Sequence, residues 1–170
     1  MKTSFEQYVA TQLAPELATQ EKPSILLLTC MDYRYAHRIV DVMDRMGLNR
    51  KYDMFVLAGA AGGATKRPEW RKTLVDHIET ARCIDHPINR LIVFEHRDCG
   101  AYKAFFDVDW EKITPPDEEA EHVKRVSQLI SCLGEEVQNL TVEAWLLPRD
   151  QDDQLEVVTV VPCTAPDHAG

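Results

Sequence analysis

The sequence predicts an α/β fold: a mostly parallel sheet flanked by helices on both faces, with an antiparallel strand at one edge. Three observations carry this. Short apolar runs, "SILLLTC", "KYDMFVLAG" and "NRLIVFEH", alternate with longer stretches of helical periodicity, which is the order of a parallel sheet and its crossovers. The runs are apolar at nearly every position, as strands covered on both faces must be. The last two runs, "TVEAWLLP" and "QLEVVTVVP", are joined only by the polar "RDQDDQ". That connection is too short for a crossover and suits an antiparallel pair. With 170 residues and 45% hydrophobic content, the chain suits one domain, 1–170, around one core.

Taken in order, "SFEQYVATQL" places Phe5, Tyr8, Val9 and Leu13 on one helical face, an N-terminal helical arm within 1–20 that Pro15 is expected to interrupt. "SILLLTC" is the first strand. "RIVDVMDRMGL" carries Ile39, Val42, Met43 and Met46 at helical spacing, with Gly47 as its end. "KYDMFVLAG" is the second strand, and "GAAGGATK" after it is expected to be flexible backbone. "RPEWRKTLVDHIETARCI" opens on a proline suited to a first turn and sets Trp70, Leu74, Ile78 and Ala81 on one stripe. A third strand, "NRLIVFEHRDCG", precedes a long helix, "DEEAEHVKRVSQLISCLGEEV", whose expected stripe is Val123, Val126, Ile130, Leu133 and Val137. The sequence shows no repeat, low-complexity tract or interdomain linker.

Charge and composition narrow the function. A formal net charge of -9 without any block of Lys and Arg argues against nucleic acid or an anionic membrane surface as partner. The first residues lack the apolar core of a signal peptide, and no stretch approaches the roughly 18 apolar residues of a membrane span. A cytoplasmic location is expected. There the five cysteines, Cys30, Cys83, Cys99, Cys132 and Cys163, are core thiols, metal ligands or reactive groups rather than a disulfide framework.

Ligands of open α/β sheets bind beyond the carboxyl ends of the strands, where the chain order reverses. "CMDYR" (30–34) stands at the end of the first strand and "HRDC" (96–99) at the end of the third. With right-handed crossovers both ends lie on one edge of the sheet. The motifs then bring together Cys30, Asp32 and Arg34 with His96 and Cys99. Two thiolates and an imidazole suit zinc, the fourth position falling to Asp32 or to water. A lone H-x-x-C is a weak signal, and either cysteine alone reads as a core thiol; together the two motifs point to metal. "GAAGGATK" does not have the spacing of a phosphate-binding loop. Cys83, on the second long helix and remote from both motifs, reads as packing.

These residues resemble the beta-class carbonic anhydrases, whose pattern runs C-x-D-x-R, a second strand ending in a segment like N-A-G, then H-x-x-C-G. This chain reads "CMDYR", "LAG" and "HRDCG" in that order, over about Ser24 to Ala104. The resemblance implies zinc held by Cys30, His96 and Cys99, with Asp32 either a fourth ligand or a catalytic group and Arg34 paired with it. It implies carbon dioxide and bicarbonate as substrates, and a homodimer or higher homo-oligomer in which the N-terminal helix often lies across the partner. Zinc carrying two thiolates acidifies water less than zinc held by neutral imidazoles. Arg34 is therefore expected to keep Asp32 off the metal and aim it at the water's proton.

The chain departs from that pattern at two places. Leu57 stands where the family has an amide, and Glu95 where it often has glycine before the metal histidine. Strand alternation turns Glu95 away from His96, and solvation is its default expectation. Both departures favour an alternative, a non-catalytic zinc-binding homologue. A second alternative is a carbon disulfide or carbonyl sulfide hydrolase with the same ligands. A cysteine phosphatase or arsenate reductase is disfavoured, because Cys30 and Arg34 stand too close in the chain for an oxyanion loop. His37, His77, His86 and His122 are each expected on the surface, and none is assigned as a proton carrier.

Overall fold

The computed structural model describes residues 4–149 and 158–159. The apolar runs form five strands: β1 (Ile25–Thr29), β2 (Tyr52–Val56), β3 (Arg90–His96), β4 (Thr141–Leu147) and β5 (Val158–Thr159), in the order β2-β1-β3-β4-β5. β1 pairs in parallel with β2 and β3, and β3 with β4. β5 runs antiparallel to β4, with Trp145 opposite Thr159. The architecture is the one expected from the order of runs; the remainder of "QLEVVTVVP" lies outside the described residues. Among the described residues no helix is long and apolar enough to cross a membrane.

Strand alternation divides the core into two. Leu26, Leu28, Leu91, Val93, Ala144 and Leu146 face one side, against α4 (Ala60–Lys66), α5 (Pro68–Cys83) and α7 (Pro115–Glu136). Ile25, Leu27, Ile92, Phe94, Trp145 and Leu147 face the other, against the N-terminal helices and α3 (Ala36–Arg45). The same alternation carries into the end of β3. Glu95 continues the first face and His96 the second.

The N-terminal helix does not stop at Pro15. α1 (Phe5–Tyr8), a π-helical turn (Val9–Leu13) and α2 (Ala14–Leu17) follow one another without a break. The Ala14 N–H reaches Val9 O, one residue further than an α-helical bond, so Pro15 falls in a new first turn where its missing N–H costs nothing. The apolar stripe is spent on the chain's own sheet: Phe5, Tyr8, Val9, Leu13 and Leu17 are buried with Phe94 and Trp145.

α3 ends at Gly47 as expected, with φ +71 and the Leu48 N–H returning to Met43 O at 2.9 Å. α5 buries Leu74, Ile78 and Ala81, while Trp70 is half-buried. In α7 the buried stripe is Glu118, His122, Val126, Leu129 and Leu133. It is turned by about one residue from the stripe expected, leaving Val123 and Ile130 half-buried. "GAAGGATK" is not flexible. It forms α4, and its glycines permit close contact: a Cβ on Gly63 would stand 2.1 Å from Ala58 O, and one on Gly62 would stand 2.6 Å from the Tyr102 ring. A short α6 (Gly100–Phe106) follows the H-x-x-C segment directly.

Candidate metal centre

The order β2-β1-β3 makes the gap between β1 and β3 the point where the chain reverses direction across the sheet. Thr29 pairs with Phe94 in register, so the residues that follow each strand emerge side by side. Cys30 from β1 meets His96 and Cys99 from β3, and one ligand atom from each lies within 4.8 Å of the others. All three side chains are buried. The sulfurs of Cys30 and Cys99 are 3.9 Å apart.

The donor set suits a metal. His96 Nδ1 lies 2.9 Å from Arg97 O, a bond that places the proton on Nδ1 and leaves Nε2 with a free lone pair. That Nε2 is buried without a hydrogen-bond partner, as is Nε2 of His122, but at His96 two cysteine sulfurs stand within reach of the same point. The Gly59 N–H donates to Cys30 Sγ at 3.2 Å, and Trp110 Nε1 donates to Cys99 O at 2.9 Å. The Cys30 thiol is pushed down to about 4, first by its hydrogen bond with Cys99, with burial opposing and the neighbouring His96 adding to the fall. Cys99 is pushed up, because it keeps the proton that the pair shares. Burial opposes a proton on His96, yet the Cys30 thiolate beside it carries its pKa upward. Two sulfurs and an imidazole so placed fit zinc by softness and by number.

Asp32 and Arg34 stand at the rim. Arg34 Nε donates to Asp32 Oδ1 at 3.0 Å and Nη2 to Oδ2 at 2.7 Å, and the Arg34 backbone N–H also reaches Oδ1 at 3.0 Å. This fork holds the Asp32 carboxyl below its ordinary value. Asp32 Oδ2 lies 3.9 Å from His96 Nε2, near the cluster but attached to the guanidinium. Arg34 also donates to Asp98 O at 3.2 Å, tying "CMDYR" to "HRDC". Asp98 takes φ +57, a conformation that an Asp side chain tolerates. Its N–H is held from behind by Glu118 Oε1 at 2.6 Å, while Glu118 Oε2 accepts from Arg97 Nη1 at 3.0 Å.

Three expectations are corrected. Glu95 is not solvated: it is 1% exposed, accepts the Ala61 N–H at 2.8 Å and lies 3.1 Å from His122 Nδ1. His122 is 0% exposed rather than on the helix surface, as its place on the buried stripe of α7 requires. Cys83 is exposed at the last turn of α5 and does not pack. His37 and His77 are exposed. His86 is half-buried, with Nδ1 2.7 Å from Asp53 Oδ2. Leu57, at the end of β2, packs against the core under α4 and α7. Glu118 was not identifiable as a site residue from its type, though its spacing on the α7 stripe was a signal.

No protein-family profile matches the chain. Among solved structures, it is similar to a chain from the crystal structures of two tetrameric beta-carbonic anhydrases of Sordaria macrospora, with a TM-score of 0.46, 11% identity and coverage of 89% of this chain and 87% of the other. The beta-carbonic anhydrase CafA of Aspergillus fumigatus gives 0.44 at 13% identity, covering 90% and 83%. At these scores the reading of the site rests on its own residues. An uncharacterized protein of Rickettsia conorii is 29% identical over 136 residues, 79% of this chain and 72% of the relative. An uncharacterized protein of Rickettsia bellii is 30% identical over 137 residues, 79% of this chain and 82% of that protein. The chain and the Rickettsia bellii protein belong to one family.

Proposed function

We propose that the chain is a zinc-dependent hydratase that interconverts carbon dioxide and bicarbonate, working in the cytoplasm as a homodimer or larger homo-oligomer. The observation that carries this is the Arg34–Asp32 fork beside a buried Cys30, His96 and Cys99 cluster. A purely structural zinc site is closed by four protein ligands. Among the described residues three converge, and the nearest carboxylate is bound to an arginine.

Cys30, His96 and Cys99 would hold the metal, which when bound supplies Lewis-acid activation of water. Asp32, kept ionised by Arg34, is the proton acceptor at its Oδ2, the oxygen nearer His96. Arg34 orients that carboxylate and, through Asp98 O, holds the two loops at a fixed separation. The walls behind the thiols are Tyr102 and Trp110, whose apolar faces exclude bulk water and favour a small uncharged substrate. Glu95, on the opposite face of β3, leaves the metal side free and so does not favour a non-catalytic homologue.

The test is zinc quantification and stopped-flow carbon dioxide hydration on one preparation. Near one zinc per chain with a rate well above buffer supports the proposal. Zinc with a background rate removes the enzyme and leaves the metal site. The same preparation assayed on carbonyl sulfide and carbon disulfide distinguishes the hydrolase that shares this ligand set.

A further inference from the structure

Behind the metal cluster lies a buried polar pair with no part in the chemistry above. Glu95 and His122 are 1% and 0% exposed, and neither can be left unpaired there without a large desolvation cost. His122 Nδ1 meets Glu95 Oε2 at 3.1 Å. The other oxygen, Oε1, accepts the Ala61 N–H at 2.8 Å. Ala61 is in the first turn of α4, and Gly59, which precedes that helix, donates its N–H to Cys30 Sγ. The His122 ring is itself fixed, 4.4 Å from the Tyr102 ring and stacked on Trp110 at 5.8 Å with 7° between planes.

Local sequence does little to hold this segment. α4 has 7 residues, too few to stand alone, and its start carries φ +72 at Gly59 and φ +41 at Ala60. A turn of that conformation has no side chain of its own to fix where the Gly59 N–H points. Backbone bonds frame the turn, Leu57 N–H to Thr29 O and Ala60 N–H to Leu57 O, each at 2.9 Å, and the carboxylate of Glu95 ties the first turn of α4 to β3 and, through His122, to α7.

We propose that Glu95, seated on His122, is a positioning residue of the metal site, holding the first turn of α4 so that the Gly59 N–H stays on the Cys30 sulfur. A hydrogen bond to a thiolate draws electron density from the sulfur and reduces its donation to a metal, which keeps the metal the stronger Lewis acid. The inference rests on reading Cys30, His96 and Cys99 as a metal site and needs no hydration activity.

The experiment is Co2+ titration of the metal-exchanged full chain, following the thiolate-to-cobalt charge-transfer band in the near ultraviolet. Glu95→Ala should move the band to lower energy, because a sulfur that has lost the Gly59 N–H gives up its electron density more readily. Glu95→Gln keeps the acceptor for the Ala61 N–H, and its amide N–H donates to His122 Nδ1 once the imidazole proton moves to Nε2; it should restore the band. A merely structural role would lower the melting temperature of Glu95→Ala and leave the band in place, which overturns the proposal. So does a Glu95→Gln band shifted as far as that of Glu95→Ala. If Glu95→Ala does not fold, His122→Phe, which refills the space against Tyr102 and Trp110, carries the test: the same direction of shift is expected, and an unmoved band refutes it. Failure of the unmodified chain to bind Co2+ strikes the metal site itself.

Discussion

Replacing Arg34 with alanine separates a carboxylate that accepts a proton from one that binds metal. The substitution removes both prongs of the fork, at 3.0 and 2.7 Å, and the bond to Asp98 O at 3.2 Å, leaving Asp32 with the Arg34 backbone N–H. Nitrogen and oxygen ligands on one tetrahedral zinc, each about 2.0–2.1 Å from the ion, stand about 3.3 Å apart. Asp32 Oδ2 is already 3.9 Å from His96 Nε2. The freed carboxylate therefore needs to close only about 0.6 Å on His96 Nε2 to stand at the spacing of two ligands of one ion, which a side-chain rotation can supply. Arg34→Ala should therefore retain zinc, or hold it more tightly, while hydration falls by about 10–100-fold, roughly 1.4–2.7 kcal/mol of transition-state stabilisation. Arg34→Lys should not rescue the rate, because an ammonium cannot make the two-pronged bond. Zinc per chain by elemental analysis and stopped-flow hydration are the assays. A near-normal rate in Arg34→Ala refutes the positioning role, and loss of zinc refutes the idea that Asp32 waits at the edge of coordination.

Cys99→Ser should lose zinc and lower the melting temperature of the loaded protein, since a hydroxyl is a poor replacement for a thiolate; Cys83→Ser, at an exposed position, should retain full zinc content, and both are read by elemental analysis. Gly63→Ala should destabilise by about 1–3 kcal/mol or more in urea unfolding, because the new Cβ meets the Ala58 carbonyl at 2.1 Å and backbone cannot yield as a side chain can; an unchanged midpoint would mean that α4 is not held as described. Acid should loosen the site at a definite point. The folded-state pKa of Asp32 lies below its ordinary 3.8, so the stabilisation from its pairing is complete above the unfolded value and is lost as pH falls through the folded one. Comparing Asp32→Asn with the unmodified chain in urea melts should show a stability difference that is flat at neutral pH and shrinks below about pH 4; a difference that grows there would contradict the sign.

The sheet was legible because its signals are short-range. Five near-continuous apolar runs in one order allow few topologies, and the switch point between β1 and β3 follows once that order is known. Two helical segments were misread for physical reasons. "GAAGGATK" looks permissive residue by residue, yet Gly62 and Gly63 are where Tyr102 and Ala58 come closest, a long-range fact that no local propensity contains. Pro15 looks like a stop, but a π-helical turn resets the hydrogen-bond register just before it. Cys30, Asp32, Arg34, His96 and Cys99 could be placed at one sheet edge because strand ends are simple to align; the direction of the Asp32 carboxylate depends on distances that spacing does not supply.

The residues around the metal cluster show a different limit. On the buried stripe of α7, Leu133, Leu129 and Val126 continue toward the N-terminus at His122 and Glu118, so the helical period itself marks two polar residues as buried. A reading that follows only apolar residues shifts to Val123 and Ile130 and leaves both polar groups on the surface. Buried polar residues at the end of an apolar stripe need partners, and these find theirs at opposite sides of one segment. Glu118 takes the Asp98 N–H and the Arg97 guanidinium, and His122 takes Glu95. One helix therefore braces the turn that presents His96 and Cys99 and, through Glu95 and Ala61, the turn that meets Cys30. A cluster assembled from two loops, one beginning at Cys30 and the other at His96, is thus braced by a third element. Glu118 and His122, rather than any further cysteine or histidine in the motifs, are where substitutions should loosen both halves together.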